Sequence, residues 1–212
     1  MSKLEYYVID TETTGLKAGH NEVTEISIVR CRDRHQLTRQ IRAEFPERAN
    51  DVALRITGKT FEDLLEGDDK EDVVNACNLF FNQDGLTPEH RCIVAHNAPF
   101  DKRFCHALWE SCGQQFPAIV WLCTIKLSKL WSQKLGSKPE NFQLGTMLKY
   151  AGIKPMPGAH DAGSDARNTY LLWSKGMASD LDYLQATKRY PHNIMQKEGS
   201  VTEMDIDMAD IY

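Results

Sequence analysis

The alternation of short apolar runs with helical patterns in the middle of the chain is the feature that most constrains its fold. Residues 91–97 (RCIVAHN) and 118–124 (AIVWLCT) are apolar runs of the buried-strand type, and each leads into a stretch where apolar residues recur at helical spacing. Strands that are separated by helices pair in parallel, within a sheet that helices cover. The pattern therefore predicts an α/β domain.

The beginning of the chain adds three strands with no helix between them. Residues 4–10 (LEYYVID) are rich in β-branched and aromatic side chains, which favour a strand. Residues 23–31 and 36–44 show partial two-residue alternation around a polar link, which is typical of an antiparallel hairpin. Together with the two later strands, they predict a mixed five-stranded sheet covered by helices.

Helical spacing predicts five helices, over residues 67–83, 99–113, 125–135, 141–152 and 161–177. The last is the clearest, because its apolar residues form one continuous stripe: Ala162, Ala166, Tyr170, Trp173 and Met177. The stretch before the first helix contains Pro46 and Gly58 and is predicted to be a loop.

The chain length of 212 residues suits one domain, which we place at residues 1–190. Hydrophobic density falls from about Pro191, so residues 191–212 are predicted to be a C-terminal tail. Its end carries acidic residues and no basic one: Glu203, Asp205, Asp207 and Asp210.

No run approaches the roughly 18 to 20 apolar residues of a membrane span, and the N-terminus lacks a signal-peptide pattern. We expect a soluble cytoplasmic protein that does not contact membranes.

Cysteine spacing and net charge exclude two further classes of protein. The six cysteines are scattered and form no CxxC pair, so a zinc or redox site is disfavoured and buried free thiols are expected. The formal charge of −5 argues against a broad basic face that holds duplex DNA.

Two carboxylates end the first predicted strand. Asp10 and Glu12 are two residues apart, so the period of a strand points both side chains to the same face. Paired carboxylates repel each other, which raises a pKa or recruits a hard cation such as Mg²⁺. The alternative is a strand end that runs into solvent, where acidic residues are common.

Three more chemistry-bearing residues lie where predicted helices begin. Asp101 falls in the first turn of a helix entered from a buried strand, and His160 and Asp165 lie at the start of the last helix. The alternatives are stabilisation of a helix N-terminus by Asp101 and a capping or surface role for His160. Four acids can hold two divalent ions about 3.5 to 4 Å apart, and a histidine can take a proton from water. This set is the minimum for two-metal phosphodiester hydrolysis.

Three segments resemble the exonuclease motifs of the DEDDh 3′–5′ exonucleases in the DnaQ-like superfamily. They are residues 9–16 (IDTETTGL), 94–101 (VAHNAPFD) and 160–166 (HDAGSDA). The superfamily includes the proofreading epsilon subunit of DNA polymerase III and exodeoxyribonuclease X, and residues 121–131 (WLCTIKLSKLW) are similar to the latter. The resemblance covers residues 4–178 and implies a ribonuclease H-like fold.

One spacing supports the histidine branch of this family, and two positions depart from the family pattern. Pro99 stands where the second motif commonly has a small residue, but proline is acceptable at the first position of a helix. His160 stands five positions before Asp165, whereas the sister branch carries a tyrosine where this chain has Asp161. Thr57 precedes Gly58 at a position where the family often has a histidine, so the contact made there is expected to differ.

The resemblance implies a role for each of the five site residues. Asp10 would bridge two Mg²⁺ or Mn²⁺ ions, Glu12 and Asp165 would complete the ligands of the catalytic ion, and Asp101 would bind the second ion. His160 would be the general base.

The resemblance also implies substrate contacts. Thr11 and Thr13 would approach the terminal nucleotide, and Leu16 would wedge against its base. Asn97 would lie near the cleft, with capping of the following helix as the alternative.

The resulting hypothesis is a 3′–5′ exonuclease that releases nucleoside 5′-monophosphates from single-stranded or frayed DNA. Residues 124–154 carry six lysines and one acid. These lysines would either hold a polyanion or form a solvated face. An RNA-trimming enzyme and a catalytically silent nucleic-acid-binding module are the alternatives. The choice between a proofreading subunit and a free nuclease stays open, and the tail would bind a DNA polymerase or another protein.

Overall fold

A mixed five-stranded sheet forms the centre of the computed structural model, which describes residues 4–158 and 160–178. The strands are β1 (Glu5–Thr13), β2 (Val23–Arg30), β3 (Gln36–Gln40), β4 (Arg91–Ala95) and β5 (Val120–Cys123), in the spatial order β3-β2-β1-β4-β5. β1 pairs antiparallel with β2 and parallel with β4, while β4 pairs parallel with β5. The predicted α/β class and mixed sheet are confirmed.

The described residues contain six α-helices, and five of them were predicted. They are α1 (Asp51–Thr57), α2 (Lys70–Asn82), α3 (Ala98–Ser111), α4 (Thr124–Leu135), α5 (Leu144–Tyr150) and α6 (Ala162–Leu172), and a π-helical turn (Trp173–Met177) follows α6.

The sequence prediction was wrong in two places between β2 and α2. The predicted loop contains α1, where the Asn50 side chain accepts a hydrogen bond from Val52 N at 2.7 Å and Gly58 ends the helix at φ 67°. The third strand ends at Gln40 and not at Glu44. Beyond it the chain leaves β3 and pairs with the segment before α2, as in the hydrogen bond from Arg42 N to Asp68 O.

Two hydrophobic cores lie on opposite faces of the sheet. Tyr7 and Ile9 of β1 belong to the core beneath α2 and α3, whereas Val8 belongs to the core formed with α5 and α6. Since side chains alternate along a strand, the even-numbered residues of β1 face α6. This alternation decides where the carboxylates at the end of β1 point.

A buried ion pair ties β4 to the turn after α2. Arg91 Nη2 lies 2.7 Å from Asp84 Oδ1, and both side chains are almost completely buried. Tyr7 OH donates to the other oxygen of Asp84 at 2.8 Å. The arginine also donates to backbone carbonyls, including that of Pro117, so this end of the sheet is held by charge-assisted hydrogen bonds.

All six cysteines are free thiols and four of them are buried, as predicted. Within residues 4–158 and 160–178, no helix is both long and apolar enough to cross a membrane. The predicted C-terminal tail, residues 191–212, lies outside the described residues, so the proposed boundary near residue 190 stays a prediction.

Candidate active site

The two carboxylates of β1 lie on one face of the sheet, as the strand period predicts. Asp10 stands opposite Ser27 and Glu12 opposite Glu25 in the register between β1 and β2. Both acids are partly buried, and the face they share is the one that α6 covers. The end of β1 therefore presents its carboxylates toward the start of α6.

Asp101 reaches the same end of the sheet from the other side. It lies in the first turn of α3, is 3% exposed, and accepts a hydrogen bond from Thr11 Oγ1 at 2.9 Å. The link from β4 into α3 turns at Asn97, which adopts the left-handed conformation with φ 76°. Asn97 occupies the N-cap position of α3, but its side chain makes no capping hydrogen bond.

His160 and Asp165 approach from the start of α6. The cap of this helix is Asp161, whose carboxylate accepts a hydrogen bond from Ser164 N at 3.1 Å, so His160 is not the capping residue. The backbone N–H of His160 donates to Asp165 Oδ2 at 3.2 Å, and φ of His160 is 61°. Ligand atoms of Glu12, His160 and Asp165 lie within 4.8 Å of one another.

The electrostatics of this cluster oppose full ionisation. Burial, followed by the charges of Asp101, Glu12 and Asp165, raises the pKa of Asp10 well above its ordinary range. Burial and then the charges of Asp165 and Glu25 raise the pKa of Glu12 to about 8.

The acids on the two helices are shifted in the same direction. Burial raises the pKa of Asp101 to about 7, although the hydrogen bond from Thr11 opposes the rise. Burial also raises the pKa of Asp165, against the hydrogen bond from His160 N. Partly buried carboxylates that repel one another form a set of hard oxygen donors, which suits a divalent cation.

Two charged residues beside the cluster were missed from the sequence. Glu25 is the cross-strand neighbour of Glu12, and its Oε2 lies 3.5 Å from Nζ of Lys59. Lys59 directly follows the glycine that ends α1. The alternation in residues 23–31 could have placed Glu25 on one face, but only the register between β1 and β2 places it beside Glu12.

The two threonines predicted to approach a nucleotide have hydroxyl groups that are already bonded within the protein. Thr11 donates to Asp101, and Thr13 Oγ1 donates to Gly15 O at 2.7 Å. Leu16 lies in the loop beyond β1 and is 37% exposed. A role for Leu16 or Asn97 toward a nucleotide stays a prediction.

The loop after β1 is tightly packed. A Cβ atom on Gly15 would come within 2.6 Å of the Asn21 side chain, so a larger residue at this point of the first motif would displace Asn21. Asn21 Nδ2 donates to Arg48 O at 2.9 Å, and Asn50 N donates to Thr14 O at 2.7 Å. These bonds hold the segment that leads into α1 against the end of β1.

A family model described as exonuclease, RNase_T, matches residues 7–173. The chain belongs to the RNase_T exonuclease family. The resemblance to DnaQ-like DEDD 3′–5′ exonucleases that the three motifs carry is thereby confirmed.

Relatives of this exonuclease chain include much longer proteins. It is 30% identical over 172 residues to a PolC-type DNA polymerase III of Halalkalibacterium halodurans, and 28% identical over 170 residues to that of Listeria monocytogenes. These matches cover 80% and 79% of this chain but only 11% of each relative. The chain thus spans about a ninth of the length of the curated relatives it matches.

Solved structures share the fold at low identity. The zinc-bound complex of E. coli exonuclease I with single-stranded DNA superposes with a TM-score of 0.70 at 16% identity, covering 86% of this chain and 42% of that one. Cell-death related nuclease 4 gives a TM-score of 0.68 at 16% identity, covering 86% and 65% of the two chains. The predicted ribonuclease H-like fold is therefore confirmed.

Proposed function

We propose that this exonuclease is a two-metal enzyme that removes nucleoside 5′-monophosphates from the 3′ end of single-stranded or frayed DNA. The observation that carries the proposal is that ligand atoms of Glu12, His160 and Asp165 lie within 4.8 Å of one another. Asp10 lies near the end of the same strand as Glu12, and Asp101 of α3 is hydrogen-bonded to Thr11 between them. Residues from β1, α3 and α6 are far apart in sequence, and their meeting supports one shared site.

Exonucleases of this family generally use divalent metal ions, and the donor set fits such ions. We assign Asp10, Glu12, Asp101 and Asp165 as the ligands of two Mg²⁺ or Mn²⁺ ions. When bound, the ions would activate the attacking water and stabilise the leaving 3′-oxygen. The carboxylates whose pKa values are raised would lose their protons when cations bind, because the positive charge offsets the repulsion among them.

The residues of the chain itself would position the reacting groups. Because its N–H is anchored on Asp165, the exposed His160 is held at the edge of the cluster, where it would take the proton of the attacking water. The Thr11 hydroxyl fixes one oxygen of Asp101, which leaves the other oxygen for a cation. Leu16, Asn97 and the backbone around Thr13 would contact the terminal nucleotide.

DNA as the substrate is favoured by two comparisons. The relatives of similar sequence are DNA polymerases, and exonuclease I was crystallised with single-stranded DNA. The predicted cationic surface would help to hold the polyanion outside the carboxylate cluster. Its lysines are all exposed: Lys126, Lys129, Lys134, Lys138, Lys149 and Lys154. A polymerase or another protein bound by the C-terminal tail is a further part of this proposal.

The test uses DNA and RNA oligomers of one sequence, each labelled at its 3′ or its 5′ end. With Mg²⁺, the 3′ label should leave single-stranded DNA as a mononucleotide, while the 5′ label should stay on a shortening ladder. EDTA should stop both changes. Faster degradation of RNA than of DNA would favour the exoribonuclease alternative, and no degradation of either would favour a silent binding module.

A further inference from the structure

Lys59 is a largely buried lysine beside the carboxylate cluster. The left-handed Gly58 ends α1, and the next residue places its ammonium Nζ 3.5 Å from Oε2 of Glu25. The side chains of Lys59 and Glu25 are only 15% and 16% exposed. Lysines are mostly exposed in proteins, so a lysine that is largely buried in an ion pair is unusual and is not explained by solubility of the surface.

The partner of Lys59 connects it to the site. Glu25 stands directly opposite Glu12 across β1 and β2, and side chains of such cross-strand pairs lie about 4.5 to 5.5 Å apart at Cβ. Directly opposed residues share one face of the sheet, so the ammonium that pairs with Glu25 stands one side chain away from Glu12. The ammonium therefore offsets negative charge at the position where Glu12 would bind a cation.

We propose that Lys59 is a positioning residue that serves as the internal counter-ion of the metal site. It neutralises Glu25, keeps the carboxylate cluster folded without metal, and lowers the affinity of that cluster for divalent ions. The proposal rests on the proposed metal-dependent function, because it assumes that Glu12 binds a cation.

Mn²⁺ binding to the full-length protein, measured by titration calorimetry, tests this role. Lys59→Met should bind Mn²⁺ about 10-fold more tightly than the wild type, since a positive charge that repels the ion is removed. Lys70→Met is the matched control: Lys70 is 18% exposed and pairs with Glu44 at 2.6 Å, and no carboxylate of the cluster is among the charges that act on it. Its affinity should stay within about 2-fold of the wild type.

Thermal unfolding gives a second readout that does not depend on activity. Without metal, Lys59→Met should lose more stability than Lys70→Met, and saturating Mn²⁺ should remove most of that difference by linkage. Lys59→Arg keeps the charge and should bind Mn²⁺ as the wild type does.

The outcomes separate this proposal from the proposed function. If the wild type binds Mn²⁺ and Lys59→Met binds it equally or more weakly, the counter-ion role is wrong while the nuclease proposal stands. If Lys59→Arg behaves like Lys59→Met, packing and not charge is responsible, and the role is again wrong. If the wild type itself does not bind Mn²⁺ and is active in EDTA, the proposed function fails.

Discussion

Replacement of Glu12 by glutamine should stabilise the metal-free protein at high pH. The pKa of Glu12 is about 8 in the folded protein, against an ordinary value near 4.5. Between these values the folded protein binds more protons than the unfolded chain, so the free energy of unfolding decreases as pH rises through this window. Glutamine has nearly the same shape but carries no charge, so Glu12→Gln removes this pH-dependent decrease in the free energy of unfolding.

The size of the effect follows from the pKa difference. A group whose pKa rises from 4.5 to about 8 on folding lowers the free energy of unfolding by about 4 kcal/mol at pH 8, where it is half ionised. Because the acids share protons and Glu12 is partly exposed, we expect a measured gain of about 1 to 3 kcal/mol for Glu12→Gln. For a chain of this size, the gain corresponds to an increase in Tm of about 3 to 9 °C.

Urea unfolding in EDTA at about pH 5 and about pH 8 measures the change. The wild type should be less stable at the higher pH, and Glu12→Gln should reduce that difference. Asp33→Asn is a control of opposite sign, because hydrogen bonds from Arg30 lower the pKa of Asp33 to about 2 and its neutralisation should destabilise the protein. A Glu12→Gln protein that is no more stable than the wild type at pH 8 would refute the argument that repulsion strains this site.

Three further predictions concern the base, the core and the tail. His160→Ala should slow hydrolysis by about 10²- to 10⁴-fold while Mn²⁺ binding persists, and a joint loss of binding would instead identify His160 as a metal ligand. Arg91→Met should lower the free energy of unfolding in urea by about 3 to 5 kcal/mol, because it leaves Asp84 buried without its partner. The control is Arg39→Met, which breaks an exposed pair with Asp68 and should lower the free energy of unfolding by less than about 1 kcal/mol. Truncation after Gly199 should leave the turnover of a trinucleotide unchanged, and a large loss would show that the tail completes the domain.

The parts of the site that local periodicity determines could be predicted from the sequence. The two-residue period of β1 placed Asp10 and Glu12 on one face, and the strand-to-helix transition placed Asp101 at the start of α3. Both inferences need only the conformation of a single segment. The meeting of these acids with Asp165 needed the family resemblance, because it depends on how distant segments pack.

The residues that were missed depend on contacts between segments. Glu25 lies beside Glu12 only through the β1–β2 register, and Lys59 reaches Glu25 only because α1 ends at Gly58. α1 itself has seven residues, too few for a clear apolar period, and none of them is buried. The hydrogen bond from the Thr11 hydroxyl to Asp101 could not be predicted either, because it joins β1 to α3.

The carboxylate cluster is proposed to bind the ions that drive 3′–5′ hydrolysis. Digestion of a 5′-labelled single-stranded DNA oligomer, with Mg²⁺ and equal amounts of wild-type and Asp10→Ala protein, tests it most directly. The wild type should produce a ladder that shortens from the 3′ end, and Asp10→Ala should be folded but at least about 10²-fold slower because it lacks the shared ligand. If Asp10→Ala retains more than about a tenth of the wild-type rate, the ions that drive hydrolysis are not held by this cluster.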